Sequence, residues 1–333
     1  MKEINDRVDI LEGNINKEVL EVLLKDHTTS TENVQHNIVW ATKNYEVLGS
    51  GYYEQDEINY DLICNNNIIM PRVLKTKMLQ TSRIKDMAEV FTPPWICNAQ
   101  NNLIDDTWFG RSNVFNQELD DIDADWKWEP NVEKVTFPSG KTWKDYVREN
   151  RLEITCGEGP YLVSRYDATT GAAVPIEYRI GLLDRKLRVV SENTENTKDW
   201  LAGAQDAFKS TYGYEWQGDN LLLAREALLY TFQDYYMHKF KKYPAVASLK
   251  YIAYIISWNL WQMDGLKFVV PYSCKDMIQY DMFNNANTVP CRSCNDGSLL
   301  HHNGTYCIIK DWRAKDPVTK KMGRKLRFVD CIK

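Results

Sequence analysis

The chain has 333 residues, 44% of them hydrophobic and 26% charged, with a formal net charge of −5. This is the composition of an ordinary globular protein, and its negative balance argues against a chain that grips duplex DNA unaided, because phosphate contacts call for a basic face. No apolar run reaches bilayer length and the charged start Met1-Lys2-Glu3-Ile4 lacks the apolar stretch of a signal peptide. A cytoplasmic protein without membrane association is therefore expected, in which the eight cysteines serve as thiols or metal ligands rather than disulfides.

In chain order, residues 14–26 have the apolar spacing of a short amphipathic helix, and 28–33 form a polar break. Residues 38–41 and 58–64 have strand-like composition, with the turn signal Gly49-Ser50-Gly51 between them. A helix is expected to start after Pro94, since proline suits the first helical turn. Residues 120–130 are acidic and read as a surface loop, and 141–149 as a short helix. A buried strand is expected at 152–156, an irregular charged insertion over 167–199, and a helix at 200–210. A strand at 212–215, a helix over 218–236, a helical or extended run at 249–257 and a strand at 259–264 follow. Strands alternating with helices predict a parallel α/β sheet, whose ligands sit at the carboxyl ends of the strands. The expected organisation is an N-terminal α+β region over 1–80, the α/β domain over 81–280 with an insertion near 165–210, and a small Cys/His-rich unit over 281–333.

Four segments are candidates for chemistry. Leu152-Glu153-Ile154-Thr155-Cys156-Gly157-Glu158-Gly159 ends a strand in a turn whose glycines let a ligand approach the backbone. Tyr212-Gly213-Tyr214-Glu215 places an acidic residue at the next strand end, where it can accept from ribose hydroxyls. Asn259-Leu260-Trp261-Gln262-Met263-Asp264-Gly265 offers a carboxylate at a third strand end. Glu89-Val90-Phe91-Thr92-Pro93-Pro94 fixes a rigid turn before a helix. Alone, the glycine segment reads as readily as a plain strand-to-helix turn, Glu215 more readily as an exposed glutamate after a strand, and the Thr92-Pro93-Pro94 segment as a helix start.

Taken in order over residues 80–270, these segments resemble the amino-methylating, S-adenosylmethionine-dependent DNA methyltransferases of bacterial restriction-modification systems. The resemblance implies a Rossmann-like methyltransferase fold. It implies that Phe91, Thr92 and Pro93 line the methionine side of S-adenosylmethionine, and that Glu153, Cys156, Gly157 and Gly159 wrap the cofactor. It further implies that Glu215 holds the ribose and Asp264 the adenine amino group. Two departures stand out: Ile154-Thr155 replaces the family's Pro-Ala, and the spacing from Gly159 to Glu215 is long. The family's Asn-Pro-Pro-Tyr element, which holds a base extruded from the duplex, is not found. The only Pro-Pro is Pro93-Pro94, ahead of the glycine turn. A partner subunit that carries this element and the DNA-reading domain is therefore expected. The competing expectation is a non-catalytic cofactor-fold protein with a binding or regulatory role.

Cys291-x-x-Cys294 has knuckle spacing, and with His302 and Cys307 it predicts a structural Zn²⁺ site. His301 is the alternative histidine ligand. Cys64, Cys97, Cys274 and Cys331 are expected in the core. Trp126 and Trp128 are expected to pack rather than to stack on bases.

Overall fold

A computed structural model of the chain describes residues 14–64, 68–75, 92–119 and 126–332. Helix α1 (Lys17–Leu24) is capped by the Asn16 side chain, which accepts from Glu18 N–H, and it buries Val19, Leu20, Leu23 and Leu24 at helical spacing. The segments at 38–41 and 58–64 form no ladder. They make only the isolated bridges Lys25–Asn37 and Val39–Glu57, and Tyr60–Ile63 is a single helical turn. On one side Ile58 N–H donates to Ile38 O at 2.9 Å and Trp40 N–H to Asp56 O at 3.1 Å, and on the other the partner is a side chain. The Gln262 amide accepts from Val39 N–H at 2.9 Å and donates to Val39 O at 2.8 Å, so one glutamine stands in for a neighbouring strand.

Helix α2 (Pro94–Phe109) begins on Pro93 and ends at Gly110, whose φ of +67° is the left-handed cap that glycine favours. Strands β1 (Asn116–Glu118) and β2 (Trp128–Pro130) pair antiparallel. Helix α3 (Trp143–Val147) starts with a Thr142–Asp145 capping box.

The central sheet is parallel, in the order β3 (Arg151–Ile154), β4 (Thr211–Glu215), β5 (Leu260–Gln262). Helices α4 (Leu182–Asn193) and α5 (Thr197–Lys209) connect β3 to β4, and α6 (Gly218–Phe240) and α7 (Val246–Asn259) connect β4 to β5. The stretch expected to be irregular at 167–199 thus contains α4, which buries Leu182, Leu183, Leu187, Val189 and Val190. Its charges misled the reading because they lie inside. Arg185 and Asp105 meet at 2.7 Å with side chains each 1% exposed, and Lys186 Nζ donates to Glu149 O at 2.6 Å and Ser210 Oγ at 2.7 Å.

The register sorts the sheet into two faces. Glu153, Gly213 and Leu260 lie in one row across the strands, toward the main core. That core takes in Leu20, Trp40 and Ile58 from the N-terminal segment together with Leu183, Phe208, Leu223 and Ile256 from the helices. Ile154, Tyr214 and Trp261 lie in the opposite row. Tyr214 and Trp261 are covered by Val270 and by Cys307 and Phe328, the last two flanking the antiparallel pair β8 (Ile308–Lys315) and β9 (Met322–Arg327). In chain order the hairpin β6 (Met277–Tyr280) and β7 (Ala286–Val289) comes between β5 and β8. The architecture is mixed α/β with small sheets and no barrel among the described residues. No described helix is long and apolar enough to cross a membrane.

Candidate cofactor pocket and metal centre

The turn after β3 needs left-handed backbone at three positions: Thr155 (φ +50°), Gly157 (φ +52°) and Gly159 (φ +78°). Glycine adopts that region without strain, whereas Thr155, being β-branched, holds it at a cost of about 1–3 kcal/mol. The turn is tied to the neighbouring strand end. Gly157 N–H donates to Glu215 Oε2 at 2.9 Å, and Gln217 N–H donates to Glu215 Oε1 at 3.2 Å. Cys156 N–H donates to Tyr214 O at 2.8 Å. A Cβ at 213 would stand 3.2 Å from Cys156 Cβ and Sγ, so a larger residue there would press the Cys156 side chain aside by a few tenths of an ångström. Cys156 is thus a packing residue, and burial pushes its thiol well above the usual range, which leaves it inert.

Glu153 lies beneath the same turn. Its Oε1 accepts from Tyr161 N–H at 3.4 Å, and its Oε2 is buried with no hydrogen-bond partner. Burial raises Glu153 well above the ordinary carboxylate range, against the opposing pull of the Tyr161 and Leu162 N–H groups. Glu215 is also raised by burial, opposed by the N–H groups of Gly157, Gln217 and Trp216. Two buried carboxylates therefore flank one glycine turn at adjacent parallel strand ends.

Asp264 follows the third strand. Met263 N–H donates to Glu215 O at 3.0 Å, which places the chain of Asp264 beside the second strand end. Its side chain is occupied locally, however: Oδ1 accepts from Leu266 N–H at 3.0 Å and Lys267 N–H at 3.2 Å, and Lys267 Nζ lies 3.7 Å from Oδ2. Thr92 and Pro93 lead into α2, where Cys97 Sγ lies 3.8 Å from Thr92 O. Phe91 falls outside the described residues. Sequence reasoning missed the residue that docks α2 on the glycine turn. Asn101 is fully buried and donates through Nδ2 to Tyr161 O and Ile180 O, both at 3.0 Å. A polar residue in mid-helix carries no signal of such a role.

A cleft of about 420 Å³ opens beside the start of α2, lined by Pro93, Trp95, Trp126, Lys127, Asp167 and Thr169. Trp128 packs as expected, buried and donating through Nε1 to Tyr178 O at 2.9 Å. A larger cavity of about 500 Å³, lined by Ile176, Arg188, Glu192, Tyr235 and His238, includes none of the strand-end residues.

A second site lies beyond the sheet. Cys274, Cys291, Cys294 and His302 place their ligating atoms within 4.8 Å of one another, and the group offers a metal site. Cys274 Sγ is 3.5 Å from Cys291 Sγ and 3.7 Å from Cys294 Sγ. His302 Nδ1 is 3.6 Å from each of the three sulfurs. Cys307, expected as the fourth ligand, is not a member. Its N–H donates to Phe268 O at 3.0 Å, and its thiol is fully buried 3.3 Å from Gln262 O, packed with Tyr214, Trp261 and Phe328. Cys274, expected in the core, takes that place instead. Of the other cysteines expected there, Cys97 is buried, Cys64 half-buried and Cys331 exposed. Comparison with known proteins gives no match to any family model, curated protein or solved structure.

Proposed function

We propose that the chain is the S-adenosylmethionine-binding part of a DNA adenine-N6 methyltransferase of a restriction-modification system, with a Rossmann-like fold and with its target-base residues on a partner polypeptide. The observation that carries this reading is the pair Glu153 and Glu215 around the Gly157–Gly159 turn, with one buried carboxylate oxygen left without a partner. That oxygen, Glu153 Oε2, suits the ammonium of the methionine moiety. The two oxygens of Glu215 suit the two ribose hydroxyls, once the Gly157 and Gln217 N–H groups are released to other acceptors. Gly157 and Gly159 admit the ligand close to the backbone. Thr92 and Pro93, which lead into α2, would line the methionine side. Asp264 has weaker support for the adenine amino group, since its carboxylate already serves its own turn. The cofactor, when bound, supplies an electrophilic methyl sulfonium. The chain's own residues orient it and exclude water, which is what such a transfer asks of a protein.

A partner is supported by the uncovered side of β3. Among the described residues β3 pairs only with β4, and Leu152 and Ile154 are 41% and 65% exposed. Exposed apolar side chains on one face of a strand that is terminal among the described residues offer a surface to a partner. The test is calorimetric titration of the full chain with S-adenosylmethionine, then methyl transfer to DNA by the chain alone and with its neighbouring gene product. Absence of cofactor binding overturns the reading, and robust methylation by the chain alone overturns the need for a partner. The missing Asn-Pro-Pro-Tyr favours one second reading, a non-catalytic cofactor-binding protein. Cofactor binding with no methylation, even with the partner present, selects it.

A further inference from the structure

We propose that Cys274, Cys291, Cys294 and His302 hold one structural Zn²⁺ ion, and that this ion, rather than an apolar core, folds the segment 274–306. The inference is independent of the methyl-transfer reading.

The geometry of the ligand atoms comes first. Zn²⁺ binds thiolate sulfur at about 2.3 Å and imidazole nitrogen at about 2.0–2.1 Å, in a tetrahedron. Such a tetrahedron has S···S edges of about 3.8 Å and S···N edges of about 3.6 Å. The chain places the sulfur of Cys274 at 3.5 and 3.7 Å from those of Cys291 and Cys294, and all three S···N separations are 3.6 Å. The S···S separations are far beyond the roughly 2.05 Å of a disulfide. Three cysteines and a histidine with no carboxylate form a ligand set for Zn²⁺, not for a hard cation. Four protein ligands leave no open position, which makes the site structural.

The segment itself supplies a second, independent argument. Between 275 and 306 only Cys291 and Ser293 are buried. The large apolar side chains of the hairpin face solvent: Ile278 is 64%, Tyr280 65%, Met282 89% and Phe283 78% exposed. A two-stranded hairpin with no core is marginal at best in water, and units of this size need a staple. The ligands are spaced to provide one. Cys274 precedes β6, Cys291 and Cys294 follow β7, and His302 lies on the next loop, so the ion closes the base of the hairpin.

The surroundings are built for the same purpose. Asn303 N–H points at Cys291 Sγ at 3.4 Å, and Cys294 N–H donates to Cys291 O at 3.1 Å, closing the knuckle turn. Donors to a ligand sulfur are a recurrent outer-shell feature of metal sites. The loop carrying His302 comes close to the strand carrying Cys274. A Cβ on Gly304 would lie 2.8 Å from Cys274 N, so only glycine permits that approach.

The test uses the full chain, purified without a histidine tag. Metal analysis is expected to give about one zinc per chain. Cys274→Ser is expected to lose most of it, and Cys307→Ser to keep it. Replacement by Co²⁺ is expected to give the intense visible bands of a tetrahedral thiolate site, weakened in Cys274→Ser. If that variant fails to fold, hydrogen exchange on the wild-type chain before and after chelation still decides. Loss of protection confined to 274–306, with β3 to β5 still protected, supports the proposal. A chain that binds no zinc, a Cys307→Ser variant that loses zinc while Cys274→Ser keeps it, or protection unchanged by chelation would each overturn it.

Discussion

Replacing Glu215 by Gln preserves the side chain's shape and removes its charge. The native carboxylate accepts one N–H on each oxygen, from Gly157 at 2.9 Å and from Gln217 at 3.2 Å. An amide offers one oxygen, so its NH₂ is left facing a backbone donor. Losing a buried hydrogen bond to a charged acceptor costs about 1.5–3 kcal/mol. Part of this is offset because the neutral amide escapes the desolvation that raises the glutamate's pKa. A net destabilisation of about 1–2 kcal/mol is expected. On the proposed function, the cofactor's ribose would lose one charge-assisted acceptor without compensation, which would weaken S-adenosylmethionine binding about ten- to a hundredfold. Urea denaturation and calorimetric titration, run in parallel, separate the two effects. The raised pKa adds a further signature. As pH falls, wild-type affinity should drop at a higher pH than an ordinary glutamate would set, and Glu215→Gln should show no such step. A variant that loses stability yet binds the cofactor as tightly as the wild type would refute the argument and leave Glu215 as a clamp on the glycine turn alone.

Asp105→Asn leaves the Arg185 guanidinium, 1% exposed, without its 2.7 Å carboxylate and with neutral acceptors such as Asn98 Oδ1 and Asn102 Oδ1, and should cost about 3–5 kcal/mol in urea unfolding. Asp184 is buried, with Oδ1 unpartnered, and desolvation lifts it from 3.8 to about 6. Because the folded-state value is the higher one, its contribution to stability is full below about pH 4 and is lost as pH rises through about 6. The loss amounts to about 3 kcal/mol. Asp184→Asn should therefore flatten the stability profile between about pH 4 and about pH 7, as unfolding curves at stepped pH would show. Ile154→Asp, at a side chain 65% exposed, should change the isolated chain's stability by no more than about 0.5 kcal/mol. If the proposed partner polypeptide docks on this face, the same substitution should weaken their co-elution on size-exclusion chromatography.

Much of the sheet was legible because its signals are local. The run Tyr212 to Glu215 and the helix after Gly218 declare themselves by composition and punctuation, and the structure places them within a few residues of expectation. What was not legible depends on partners far away in the chain. Helix α4 reads as a polar insertion until Asp105 is seen beside Arg185, and Glu149 O beside Lys186. The segments around Val39 and Ile58 read as strands, but the backbone of Val39 pairs with the Gln262 side chain, which no periodicity announces. The metal centre divides in the same way. Cys291-x-x-Cys294 is a local signal, whereas Cys274 joins it across a hairpin. Cys307, fewer residues from His302 than Cys274 is, has its thiol in the sheet's second layer.

That second layer bears on where a partner belongs. Ile154, Tyr214 and Trp261 stand side by side in one row across β3, β4 and β5, so they face the same way. Their exposures are 65%, 6% and 3%. The C-terminal segment covers the row only as far as Tyr214, through Val270, Cys307 and Phe328. The opposite row, Glu153, Gly213 and Leu260, is buried by the helices, the glycine turn and the Leu162 side chain, Glu153 being the least buried at 9% exposure. One face is thus complete and the other stops short at the strand that carries the glycine turn. Covering Ile154 would remove apolar surface from water, a gain of roughly 25 cal/mol per Å², on the strand that leads into the glycine turn and on the face opposite Glu153. A polypeptide that docks there for its own stability would arrive beside the proposed cofactor pocket. A chain bringing the base-holding residues would have to reach the same place.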